Sequence, residues 1–130
     1  MKVYYADTNI FLRFILDEIP EQTLAAENYF KAAKEGKIKI VFISEIVMEI
    51  EYVLRKVYRK SRKEIAENLS VFIEQPHIAI PNRLILLRAL NLYVKSNLDL
   101  VDLVLFTSAR EQGAKVLSFD KDFEKLQRVA

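Results

Sequence analysis

Four short apolar runs punctuate this chain: KVYYA (2–6), IKIVFI (38–43), HIAI (77–80) and KVLSF (115–119). Segments of helical period separate them, and the first run reads as a strand buried on both faces. Strands alternating with helices form right-handed βαβ units and a parallel sheet covered by helices. The expected fold is therefore a single α/β domain over residues 1–130, with a central parallel β-sheet of four strands flanked by helices. A short fifth edge strand at 128–130 would extend it. At 130 residues the chain can bury a sizeable core without disulfides.

The helix signals are specific. DTNIFLRFILD (7–17) places Ile10, Phe11 and Phe14 on one face. Pro20 suits a first helical position, and Gly36 suits the residue past the end. Ser44 is a candidate cap for a helix whose apolar stripe is Ile46, Ile50, Val53 and Val57. Ser61 and Glu64 form a capping box that opens a helix to about Glu74. Further helices run from Pro81 to about Ser96, over 99–112 up to Gly113, and through DKDFEKLQ.

In open α/β sheets ligands bind outside the carboxyl ends of the strands. Acidic residues gather at those ends. Asp7 follows the first strand. Glu45, Glu49 and Glu51 stand on the helix after the second, and Ser118 and Asp120 close the fourth. NLDLVDLVLF (97–106) adds Asp99 and Asp102 to a run otherwise made of Leu, Val and Phe. Taken singly, Asp7, Asp99 and Asp120 also suit helix N-caps, and the helix dipole favours a carboxylate at Asp102. Taken together, carboxylates in one low-dielectric cleft repel one another and take up protons unless a cation binds them. The chain has no cysteine and one histidine, His77, which excludes thiolate and His-rich zinc sites. Oxygen-only donors favour Mg²⁺ or Mn²⁺, and the chemistry this implies is metal-assisted phosphodiester hydrolysis.

These residues resemble the PIN-domain ribonucleases, and among them the VapC-type toxins of toxin–antitoxin pairs. The likeness is carried by YYADTNIFLRFI, EIEYVLRKVY and LDLVDLVLFTSAREQGAKVLSFDKDFEKL, in that order and spacing. It implies catalytic carboxylates at Asp7, Glu49, Asp102 and Asp120. Asp7 and Asp102 come first as metal ligands, and Glu49 and Asp120 next, with Asp99 as an outlying member. Asn9, Ser118 and Arg13 would meet substrate. The resemblance further implies an RNA substrate, a homodimer, and a cognate antitoxin whose C-terminal segment covers the active site. Two features depart from the family pattern: Leu103 follows the helix aspartate where a small residue is usual, and Ser118 stands where Thr is frequent. Periodicity independently favours Glu49 as the half-buried glutamate of its helix. It lies roughly 70° from the centre of the apolar stripe, while Glu45 and Glu51 lie beyond about 100°.

RKVYRKSRK (55–63) holds six basic residues in nine. It reads equally as a phosphate-binding patch, with Arg59, Lys60, Arg62 and Lys63 as contacts, or as a solvated helix end. Arg13 either reaches a phosphate or pairs with Asp17 one turn on. His77 and the tyrosines Tyr4, Tyr5, Tyr29 and Tyr93 read as structural. No apolar run reaches the length of a membrane span, so a cytoplasmic protein is expected. Two rivals share the fold: a catalytically idle module that binds RNA or protein, and a housekeeping RNA-processing nuclease. A neighbouring small reading frame for an antitoxin separates the latter from a toxin.

Overall fold

β2 (Ile38–Val41) is the middle strand of a parallel sheet, between β1 (Lys2–Tyr5) and β3 (Ile78–Ala79). Tyr5 lies opposite Val41, and Ile40 opposite Ile78. The structure is a computed structural model and describes residues 1–129. Two helices join β1 to β2: α1 (Thr8–Leu16) and α2 (Pro20–Lys34). Two more join β2 to β3: α3 (Ser44–Lys56) and α4 (Arg62–Ile73). After β3 come α5 (Arg83–Lys95), α6 (Leu100–Glu111) and α7 (Asp122–Val129).

The expected α/β class and parallel sheet are present. Local signals act as read: Pro20 opens α2, Gly36 takes φ 77° beyond its end, and Ser61 and Glu64 form the reciprocal capping box of α4. Ser44 is the first helical residue instead of the cap, which is Ile43. α5 begins at Arg83 behind a left-handed Asn82, two residues after Pro81.

The sheet differs from expectation at its edge. Among the described residues it has three strands, and 115–119 is not part of it. Leu117 and Phe119 are fully exposed, and β1 is exposed along its whole length instead of buried on both faces. Strand propensity is realised only where a neighbouring strand supplies ladder partners and packing; KVLSF has the composition without the partner. Arg128 and Val129 belong to α7, and Ala130, the end of the expected fifth strand, lies outside the described residues.

One contiguous core joins the helices to β2 and β3. At its centre Phe11 and Phe42 both meet Phe72 edge-on, with ring centroids 4.6 and 4.8 Å apart. On α3 the buried residues are Val47, Ile50, Glu51 and Leu54. That arc is rotated by about 80° from the expected stripe, at 100° per residue. The reason is packing on several sides: α3 contacts α1, α4 and α6. Ile46 and Val53 become flanks, and Val57 is exposed.

Candidate active site

The carboxyl end of β1 delivers Asp7 directly to the start of α1. Its backbone is extended, and Oδ1 accepts from the backbone N–H of Asn9 at 3.1 Å and of Ile10 at 3.4 Å. The N-cap reading of Asp7 is thus realised. Glu49 of α3 faces the same cleft, of about 260 Å³, together with Thr8, Asn9, Arg13 and Tyr58. The rotation of α3 leaves Glu49 exposed and buries Glu51, the reverse of the periodicity argument. Arg13 pairs with Glu18 at 3.5 Å, and Tyr58 Oη donates to the same carboxylate at 2.8 Å. Asp17 is not its partner because α1 ends at Leu16 and Asp17 turns left-handed, with φ 50°.

Asp102 sits in the first turn of α6 and is half-buried. Burial, first, and then the nearby charges of Asp99, Asp120 and Asp122 hold its carboxyl above the usual carboxylate range. Three other aspartates therefore act electrostatically on Asp102. Asp99 occupies the N-cap position of α6 but makes no side-chain cap bond. Asp120 Oδ1 accepts from Asp122 N at 2.9 Å, and Ser118 Oγ accepts from Asp120 N at 3.0 Å, so a pair of short turns shapes this exposed segment.

Asp7 and Glu49 line one cleft, and the charges of Asp99, Asp120 and Asp122 act on Asp102. Among the described residues no three Asp, Glu or His side chains lie close enough to hold one metal ion. The donor chemistry nevertheless fits a hard divalent cation. The donors are all oxygens, and every charge that shifts Asp102 is another carboxylate.

A second set of polar residues joins α3 to α5, and the sequence reading missed it. Glu51 is only 5% exposed. It accepts from Arg55 Nε at 2.7 Å and from Tyr93 Oη at 2.7 Å. The hydrogen bond to Glu51 is the main cause that raises the Arg55 pKa, and Asp99 adds to it. The spacing of Glu51 and Arg55, one helical turn apart, was the available signal. The basic run divides: Arg59 and Lys63 are exposed, Lys60 lies 3.9 Å from Glu64, and Arg62 turns inward onto backbone carbonyls of Tyr93 and Leu98.

The PIN domain family matches residues 4–129. The chain is also similar to a VapC ribonuclease of Aquifex aeolicus (strain VF5), 26% identical over 121 residues, which covers 92% of this chain and 89% of that protein. No solved structure matches significantly. The family match spans Asp7, Glu49, Asp102 and Asp120 and the sheet and helices that carry them, and the chain belongs to the PIN-domain family.

Proposed function

We propose that the chain is a Mg²⁺- or Mn²⁺-dependent endoribonuclease and the toxin of a VapBC-type pair, with residues 1–130 acting as one nuclease domain. The observation that carries this reading is Asp102, half-buried and held above the usual carboxylate range by burial and then by the charges of Asp99, Asp120 and Asp122. A carboxylate so placed is costly unless a cation shares its site. The VapC ribonuclease similarity supports the choice of RNA.

In this reading Asp7 and Asp102 hold the ion, Glu49 and Asp120 complete the set, and Asp99 adds charge. The bound ion supplies Lewis acidity for phosphodiester hydrolysis. Asp7 is held in place by the N–H groups of its own helix. Asn9, exposed beside it, orients the RNA backbone. Arg13 stands in the same cleft, oriented by Glu18. Ser118 fixes the turn that presents Asp120. Arg59 and Lys63 attract the phosphate backbone from an exposed surface. The protein works in the cytoplasm as a homodimer and is silenced by an antitoxin. An apolar groove of about 560 Å³, lined by Phe14, Phe30, Val71 and Phe72, supports a protein partner.

The test is cleavage of RNA by purified protein, after EDTA and after Mg²⁺ or Mn²⁺ is restored. Activity that survives thorough chelation excludes the metal mechanism. A second reading, an idle module that binds RNA or protein, draws on the capping role of Asp7 and on the lack, among the described residues, of three acids close enough to hold one ion. It predicts RNA binding without cleavage under every metal condition.

A further inference from the structure

The turn between α5 and α6 delivers Asp99 and Asp102, and a side chain from α4 grips it. Arg62, the first residue of α4, donates from Nε to the carbonyl of Tyr93 at 2.8 Å and from Nη2 to the carbonyl of Leu98 at 2.6 Å. Its guanidinium lies 3.6 Å from the centre of the Tyr93 ring. Tyr93 is itself fully buried and bonded to Glu51 of α3, which also accepts from Arg55. α3 and α4 thus both meet the last turn of α5, and α4 also holds Leu98, the residue before Asp99.

We propose that Arg62 is a positioning residue for the acidic site: its fork ties Leu98 to the end of α5 and so fixes where α6 starts and where Asp102 stands. The catalytic consequence rests on the nuclease reading above; the structural one does not. A planar guanidinium bonds two carbonyls in fixed directions while covering an aromatic face, and lysine, a point charge on a flexible stem, cannot do both. Two carbonyls already occupy Arg62, which separates it from its exposed neighbours Arg59 and Lys63 in the same basic run. Loss of a residue that orients ligands typically costs about 10- to 100-fold in metal affinity or activity.

The experiment compares Arg62→Lys, Arg62→Met and Arg59→Gln with the parent protein. Backbone amide exchange is read at residues 98–103 against α3, and kcat and KM are read for Mn²⁺-dependent RNA cleavage. Both Arg62 variants should exchange faster at 98–103 than the parent, with α3 unchanged. Their kcat should fall by about 10-fold or more, with KM held within about twofold. Lysine, although it keeps the charge, should not rescue. Arg59→Gln should raise KM alone. Unchanged exchange at 98–103, a raised KM with normal kcat, or rescue by lysine each overturns the proposal. So does unfolding of both Arg62 variants at room temperature, since the fork would then support the whole domain and not this turn. If the parent protein cleaves no RNA with either metal, the nuclease reading fails, and the exchange at 98–103 alone decides the positioning role.

Discussion

The Tyr93 hydroxyl donates to Oε2 of Glu51 across 2.7 Å, joining α5 to α3 inside the protein. Glu51 has a second donor in Arg55, whereas the Tyr93 hydroxyl has no other hydrogen-bond partner among the described residues. The two ends of the bond therefore differ in what their removal leaves behind. Tyr93→Phe should cost about 1 kcal/mol, one hydrogen bond with Glu51 still satisfied by Arg55. Glu51→Ala should cost about 2–4 kcal/mol, because it leaves a buried hydroxyl unpaired and opens a cavity. Urea unfolding of both variants measures this; equal costs would contradict the asymmetry.

The same tyrosine gives a pH dependence. Burial, then the hydrogen bond and charge of Glu51, push its hydroxyl well above the ordinary value of 10.0. The folded state thus keeps its proton where the unfolded state loses it. The contribution is whole below about pH 10 and is lost as pH rises from there through the folded-state value. Tyr93→Phe lacks this loss. The stability gap between parent and Tyr93→Phe should narrow above pH 10 in alkaline denaturant titrations, and a gap that stays constant would remove Tyr93 as the titrating group.

Arg59 and Lys63 are the exposed members of the basic run. Neutralising both should raise KM for RNA and flatten its dependence on salt, because each phosphate contact contributes counterion release. Stability should change by no more than about 0.5 kcal/mol, as at other exposed positions. An unchanged salt slope would return the run to the role of a solvated helix end.

Much of the fold was legible because its signals are local. Pro20, Gly36 and the pair Ser61 and Glu64 each act through their own backbone neighbours, and the structure uses them as read. What was misread depends on distant contacts. The arc that α3 buries is set by helices far apart in sequence, so the stripe shifted and Glu51, not Glu49, went inside. A buried glutamate is tolerable only because Arg55 and Tyr93 meet it, and Tyr93 is 42 residues away. Arg62 belongs to the same class: composition groups it with the basic run, while Tyr93 and Leu98 decide its role. For the acidic residues, the sequence suggested one site; in the structure Asp102 feels the charges of Asp99, Asp120 and Asp122, and Asp7 and Glu49 line one cleft.

Asp99 and Asp102 stand three residues apart and should behave differently. Asp99 is exposed and makes no cap bond, so Asp99→Asn removes only a charge. Asp102 is half-buried, and its raised pKa means that its ionised form opposes folding. That penalty is full above the folded-state value and fades as pH falls through it. Without metal, Asp102→Asn should therefore match or exceed the parent in Tm at pH 7, and any advantage should shrink as pH falls. With metal the order should reverse. An ion at tenfold its Kd stabilises the folded state by about 1.4 kcal/mol, and asparagine at 102 forfeits a charge the ion needs. Asp99→Asn should keep most of that stabilisation and part of the activity; Asp102→Asn should lose both. Melting curves at two pH values with and without Mn²⁺, beside RNA cleavage assays, measure all of this. If Asp102→Asn cleaves like the parent, or if Asp99→Asn alone is inactive, the division of roles between the two aspartates is wrong.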